Sequence, residues 1–319
     1  MKIVIIGPGA LGSLFAALLA AGPGNDVWLL DHDAERAAQI DGKLLLTHGQ
    51  QEFCRLVSAT ADAAGIGPAD LILHCVKSRD VAAGIEAASP LFSPRSIFIS
   101  FQNGISHLDI LAGMKLPMEP ALGVTALGAT LFAPGRVCHG GEGMTRIGFV
   151  GPVGRENQQR LEEVAALFRR AGMATERVEN IVDVIWAKLL VNLGINALTV
   201  LYDCPNGALL AIGEARKTLI AAVREGEEVA RALGIRVGDD PVNRTLAVCR
   251  ATADNISSML QDVRKGKPTE IDAINGALLA KAEALGIDVP VNRELVGKVR
   301  ELEAGYLRKA PHGQRPDRL

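Results

Sequence analysis

Three polar side chains, Lys188, Asn192 and Asn196, recur at four-residue intervals through the most apolar stretch of this chain, Val184 to Leu201. That interval stacks them on one face of a helix. Their neighbours Trp186, Leu189, Leu190, Val191, Leu193 and Ile195 leave little room for solvent, so the stripe is expected to face a cleft inside the protein. A lysine held there loses hydration, which lowers the pKa of its ammonium and makes it a better acid near neutrality. It could donate a proton to a carbonyl oxygen as hydride arrives at the carbon, an effect typically worth about 10²–10⁴-fold in rate. Asn192 and Asn196 have no useful acidity, but each offers donors and an acceptor that fix the orientation of a carboxylate or hydroxyl. The same stripe would also serve a hydrogen-bond network between domains with no chemistry at all.

A second constellation opens the chain. Gly7-Pro8-Gly9-Ala10-Leu11-Gly12 follows an apolar run, Lys2–Ile6, and precedes a helical pattern expected to begin at Ser13. In a GxGxxG so placed, the first glycine permits the tight turn and the second lets backbone approach a pyrophosphate. The third lets helix and strand pack closely, with the phosphates at the helix N-terminus. Asp31 ends the next strand candidate about twenty residues on, where a carboxylate accepts the ribose hydroxyls of NAD and repels the 2′-phosphate of NADP. Asp31 or Asp33 could equally cap the helix expected at Ala34–Ile40.

Other polar groups are harder to place. Gln102-Asn103-Gly104 follows a strand candidate, and ligands of open parallel sheets sit at the carboxyl ends of strands, although the same residues make an ordinary turn. Asn255-Ile256-Ser257-Ser258-Met259 and Pro268-Thr269-Glu270 flank a basic turn, Arg264-Lys265-Gly266-Lys267. Glu270 near a helix start could simply favour the helix dipole.

The elements that must position these groups fall into two halves. Up to residue 178, β-branched runs at Lys2–Ile6, Val27–Asp31, Leu71–Val76 and Ile97–Phe101 alternate with helical spacing at Ser13–Ala21, Ala34–Ile40 and Ser78–Ala88. Further strands are expected at Gly123–Leu131, Arg146–Val150 and Thr175–Val178, with a helix over Asn157–Ala171. This is the pattern of a parallel sheet covered by helices, an α/β Rossmann-type dinucleotide-binding domain. From residue 179 to 319 only amphipathic helices are expected, at Ile181–Val200, Glu214–Leu233, Pro241–Thr252, Ile271–Leu285 and Arg293–Leu307. They make an all-α C-terminal domain for the substrate, with a disordered tail over 309–319.

Composition narrows the partners. The 319 residues suffice for two domains, 48% of them are apolar, and a net charge of -2 offers no basic surface for nucleic acid. A small molecule is the expected partner, and a homodimer is compatible with a sequence that does not itself set the oligomeric state. Cys54, Cys75, Cys138, Cys204 and Cys249 stand far apart without a CxxC pair, which suits a reducing cytoplasm. The histidines His32, His48, His74, His107, His139 and His312 are scattered without ligand spacing, so no metal is expected. Lys2 to Gly22 loosely imitates a secretory signal, but its glycines and Pro8 interrupt the run. The length of Val184–Leu201 approaches a membrane span, yet Lys188, Asn192 and Asn196 are costly in lipid, so a buried helix of a soluble protein is expected rather than a membrane partner.

Taken in order, the motifs resemble those of the 2-dehydropantoate 2-reductases, or ketopantoate reductases. They are GPGALG at Gly7, CVKS around Lys77, FQNG around Asn103, WAKLLVNLGINALT around Lys188, CPNG around Asn206, and NISSMLQDV followed by PTEIDAINGALL. The resemblance runs from Lys2 to about Lys298. It implies that Lys188 is the general acid, that Glu270 binds the substrate hydroxyl, and that Asn192, Asn196 and Ser258 surround the substrate. Asn103 would lie between substrate and nicotinamide, with Asn206 near the site. The implied reaction reduces 2-dehydropantoate to pantoate, towards pantothenate and coenzyme A, with NADPH. The family's arginine after the second strand is missing here, where the chain reads Leu30-Asp31-His32-Asp33, while the assisting Lys77 is kept. NADP(H) therefore follows from the resemblance and NAD(H) from the local chemistry of Asp31. A reductase of the same architecture for another 2-keto or 3-hydroxy acid is an alternative, since Lys188 and Asn192 alone do not discriminate. A non-enzymatic dinucleotide sensor is the other.

Overall fold

The computed structural model describes residues 1–309; apart from Lys309, the tail expected to be disordered lies outside the described residues. The chain divides into two compact units, one comprising residues 1–102 and 108–181, the other residues 103–107 and 182 onward. A pentapeptide in the middle of the first half thus belongs to the second unit.

The first unit is built, in chain order, from β1 (Lys2–Ile6), α1 (Ala10–Leu19), β2 (Asp26–Leu30), α2 (Ala34–Ile40), β3 (Leu44–His48), β4 (Gln51–Arg55), β5 (Ser58–Thr60), α3 (Ala63–Ile66), β6 (Leu71–His74), α4 (Val81–Ala87), β7 (Ile97–Ser100), α5 (Ser106–Gly113), β8 (Ala121–Thr125), β9 (Gly128–Ala133), β10 (Arg136–Gly141), β11 (Thr145–Phe149), α6 (Arg155–Arg170) and β12 (Thr175–Arg177). An eight-stranded sheet runs in the order β12-β11-β8-β7-β6-β1-β2-β5. From β5 through β8 its strands are parallel, and β11 pairs antiparallel with β8. The chain steps from β1 to β2 on one side and later to β6 on the other, so the order reverses at β1. In such sheets the crevice beyond the carboxyl ends at this point receives the ligand. Strands buried on both faces explain the unbroken apolar runs of β1 and β6. Phe15, Phe101 and Phe168 gather in one core cluster, Phe15 meeting Phe101 edge to face and Phe101 stacking on Phe168.

Sequence periodicity misses a whole second sheet, of order β4-β3-β10-β9, against which α1 packs. Gln51–Arg55 is short and largely polar, and Leu44–His48 opens with three consecutive leucines that hide its alternation, while β3 pairs with β10 from far along the chain. The single strand expected at Gly123–Leu131 is two. Thr125 Oγ1 accepts from Leu127 N at 3.1 Å, turning the chain so that β8 stays in the large sheet and β9 enters the small one. The first helix begins at Ala10 rather than Ser13, so the last three residues of the glycine motif form its first turn.

The second unit is helical: α7 (Ile181–Tyr202), α8 (Ala208–Ala211), α9 (Gly213–Ala232), α10 (Pro241–Ala251), α11 (Ser258–Arg264), α12 (Ala277–Leu285) and α13 (Pro290–Lys309). Helix α9 packs against α8, α10, α12 and α13. It also lies close against α7, because a Cβ on Gly226 would stand 2.5 Å from Leu193 Cδ1 and 2.6 Å from Leu190 Cδ2. The helix expected over Ile271–Leu285 starts instead with a π-turn at Asp272–Gly276, which then runs into α12. Among the described residues α7 is the one helix long and apolar enough to cross a membrane, and 67% of its apolar window is buried inside the protein.

Candidate active site

Four loops at the carboxyl ends of parallel strands carry the cofactor residues expected from the sequence. After β1, Gly7 takes φ +88° and a Cβ there would lie 2.9 Å from Val76 Cγ1, so no other residue fits the turn without displacing the neighbouring loop. At Gly12 a Cβ would stand 2.2 Å from the carbonyl oxygen of Gly7. Nothing lies within 4 Å of a Cβ at Gly9, the exposed residue that caps α1, and no acidic side chain enters the first turn of that helix. Pro8 is buried and holds Ser13 Oγ through its carbonyl at 3.1 Å, while Ala10 and Leu11 begin the helix. A free helix N-terminus beneath an open glycine is a cradle for an anionic pyrophosphate, so these residues fit a dinucleotide.

After β2 the alternatives for Asp31 separate. Asp33 is the helix cap, accepting from Arg36 N at 3.0 Å. Asp31 is buried, and both its carboxylate oxygens are held by the guanidinium of Arg36 through Nε and an Nη. Arg36, which sequence reasoning passed over, stays 36% exposed and comes within 3.5 Å of His32 Nδ1. Charge-assisted bidentate pairing of this kind fixes a guanidinium in place. After β6, half-buried Lys77 caps a 3₁₀ turn at Ser78–Asp80. After β7, Gln102 is locked inside the first unit: it accepts from Ser100 Oγ and donates to the carbonyls of His74 (2.9 Å) and Val76 (3.2 Å).

The second unit brings Lys188, Asn103 and Glu270 together from three distant parts of the chain. Lys188 Nζ donates to Asn103 Oδ1 at 3.1 Å, and Asn103 Nδ2 donates to Glu270 Oε2 at 3.1 Å. The turn that presents Asn103 is wedged against the π-turn. Gly104 has φ +77°, a Cβ on it would fall 2.0 Å from the carbonyl oxygen of Ala273, and Ile105 N donates to that same oxygen at 3.2 Å. The carbonyl of buried Glu270 accepts from both Ala273 N and Ile274 N at 3.1 Å, so the carboxylate is mounted on the start of the π-turn. Short π segments often mark sites where a side chain must be re-aimed. Burial pushes the Lys188 ammonium down to about 8, against the opposing pull of the Glu270 charge. Burial likewise holds His107 down to about 4, again opposed by Glu270, so this imidazole is neutral at ordinary pH.

Of the remaining expected residues, Asn192 and Asn196 share α7 with Lys188, the first half-buried and the second buried. Ser258 is exposed at the start of α11, whereas its neighbour Ser257 is the buried cap and lies 2.7 Å from Thr199 Oγ1. Asn206 donates to Thr252 Oγ1 at 2.9 Å and leaves its own buried oxygen without a hydrogen-bond partner. Thr199, Ser257 and His107 escaped sequence reasoning. Thr199 extends the polar stripe by one further turn beyond Asn196, a signal that was available; Ser257 stood in a polar cluster already noted, where Ser258 was chosen instead, and His107 carried no signal.

A parallel-sheet unit with a glycine turn at its switch point, joined to a helical unit with a desolvated lysine, defines the class of two-domain dinucleotide-dependent oxidoreductases. Residues 3–152 match the family model described as "Ketopantoate reductase PanE/ApbA", and residues 180–303 match "Ketopantoate reductase PanE/ApbA C terminal". The 2-dehydropantoate 2-reductase of Halobacterium salinarum is 38% identical over 304 residues, covering 94% of this chain and 98% of its own. The crystal structure of a ketopantoate reductase from Ralstonia eutropha JMP134 superposes with a TM-score of 0.87 at 32% identity, over 96% of this chain and 99% of the other. A ternary structure of D-mandelate dehydrogenase with NADH and anilino(oxo)acetate matches equally well in shape, TM-score 0.87, at 27% identity and the same coverage. The chain belongs to the ketopantoate reductase family.

Proposed function

We propose that this chain reduces 2-dehydropantoate to (R)-pantoate, with its residues 1–178 serving the cofactor and 179–319 the substrate. The observation that carries the reading is the hydrogen-bonded series Lys188–Asn103–Glu270. A nicotinamide dinucleotide on the glycine turn supplies the hydride. Lys188, its acidity raised by burial, donates its proton to the keto oxygen as the carbon is reduced, leaving a neutral amine that solvent reprotonates. Glu270 accepts a hydrogen bond from the substrate's free hydroxyl, which a simple 2-keto acid lacks. Asn103 ties acid to carboxylate and fixes the distance between them, while Asn192, Asn196, Asn206 and Ser258 surround the rest of the substrate.

For the cofactor we propose NADPH. With both oxygens of Asp31 engaged by Arg36, the carboxylate serves to position a cation rather than to receive ribose hydroxyls. Arg36 and Lys77 then supply the positive charge that a 2′-phosphate needs. Five cysteines without a disulfide fit a reducing cytoplasm. A second reading, reduction of an aromatic 2-keto acid with NADH, rests on the shape shared with D-mandelate dehydrogenase.

Steady-state oxidation of NADPH and NADH with 2-dehydropantoate and with an aromatic 2-keto acid separates the two. The first reading expects kcat/KM to be highest for NADPH with 2-dehydropantoate, and expects Lys188→Ala to lower kcat at least about a hundredfold with cofactor affinity nearly unchanged. Near-normal turnover in that variant would remove Lys188 from the mechanism, and a preference for the aromatic acid would give the second reading the substrate.

A further inference from the structure

The small sheet of the first unit holds a cluster of side chains that the reductase chemistry does not use. Strands β3 and β10 run parallel, and their register sets His48 directly beside His139, with ring centroids 4.7 Å apart. Two glycines after His139, the chain returns Glu142 to the same spot. Glu142 Oε1 lies 3.8 Å from His48 Nε2 and 3.8 Å from His139 Nε2. One ligand atom from each of the three residues falls within 4.8 Å of the other two.

His139 makes this more than a chance gathering. Its side chain is 3% exposed, and neither ring nitrogen has a hydrogen-bond partner. A buried polar atom left unsatisfied costs about 1–3 kcal/mol, a penalty that an ion bound at the ring nitrogen would relieve. Glu142 does not fill that role as a hydrogen-bond acceptor, because 3.8 Å is beyond hydrogen-bond reach. The separation suits an atom placed between the two groups. A tetrahedral ion with bonds of about 2.0–2.1 Å holds its donors roughly 3.3–3.5 Å apart, so closure requires a few tenths of an ångström at each Glu142 contact and up to roughly 1.5 Å between the two imidazoles, whose ligand atoms lie within 4.8 Å of each other. Exposed Glu142 and His48 can supply that movement while the buried imidazole stays fixed. The loop behind Glu142 is anchored, since Ala126 N donates to Met144 O at 3.1 Å and a Cβ on Gly143 would lie 2.4 Å from Ala126 C.

We propose that His48, His139 and Glu142 bind a borderline divalent cation of the zinc type, with water completing the tetrahedron. Two imidazoles exclude magnesium and calcium, which take all-oxygen sites. The ion ties β3 to β10, strands far apart in sequence, and so acts on the small sheet without taking part in hydride transfer.

Isothermal titration of the full chain, stripped with a chelator, with Zn²⁺ tests this directly. One equivalent is expected to bind, and His48→Gln and Glu142→Gln are each expected to weaken that binding at least about tenfold while leaving turnover unchanged. Both altered residues are exposed, so the fold tolerates the changes, and thermal melts of the metal-free variants matching the wild type would confirm it. Absence of a stoichiometric site, or wild-type affinity in the two variants, overturns the proposal and assigns any zinc uptake to the free thiols.

Discussion

At Lys188 the balance between burial and the Glu270 charge decides which proton is available and when. Burial dominates, placing the ammonium at about 8, and in the proposed reaction the acid form is the one that would protonate a keto oxygen. For reduction, kcat is therefore expected to be flat at lower pH and to fall as pH rises through about 8. The reverse oxidation, which needs the neutral amine as base, should rise over the same interval. Initial-rate pH profiles in both directions check this, and a reductive limb that did not bend near 8 would detach the acid role from this lysine. Arg36 offers a second residue-scale expectation. Because it is oriented by Asp31, Arg36→Ala should raise KM for NADPH at least about tenfold and leave KM for NADH within about twofold. Equal losses for the two cofactors, measured in parallel titrations, would remove the guanidinium from the 2′-phosphate.

The π-turn that mounts Glu270 is held by neighbours that never touch the reacting groups. Asn275 within it donates to Asn292 Oδ1 at 2.9 Å, and Asn292 Nδ2 donates to Glu225 Oε2 at 2.7 Å. The same carboxylate of α9 accepts from Val291 N at 2.8 Å and Asn292 N at 2.9 Å, capping the start of α13 from a different helix. Removing a charged acceptor of buried donors is worth about 2–3 kcal/mol, so Glu225→Ala should lower Tm by roughly 5–10 °C in a thermal melt. Glu225→Gln, which keeps one acceptor oxygen, should lose less. Elements of this length and periodicity were legible from sequence: β1 and α2 fall where the apolar pattern placed them, and the boundaries of α9 and α10 differ from expectation by one residue each. What periodicity could not reveal were elements whose partners are remote, β3 and β10 above all, and a π-turn too short for its shift of helical phase to register in the apolar pattern.

Across the whole molecule, the candidate site was legible where residue type was improbable for its surroundings. A lysine amid Trp186, Leu189 and Leu190 announces itself, whereas Asn103 and Glu270 read alone as an ordinary turn and a helix start. Their meaning lies in contacts spanning more than half the chain. Long-range pairing likewise hid His48 beside His139, whereas Arg36 lies only five residues from Asp31 and was hidden because its side chain folds back over that carboxylate.

The pentapeptide 103–107 that clusters with the helices is made long before them. A chain emerging from the ribosome must carry Gly104 and its neighbours without their partners until Ala273 has been synthesised. The helical part therefore cannot finish assembling before Ala273 has left the ribosome. A gene cut near residue 179 would leave the helical part without the pentapeptide that Ala273 holds, so residues 179 onward are not a self-sufficient half.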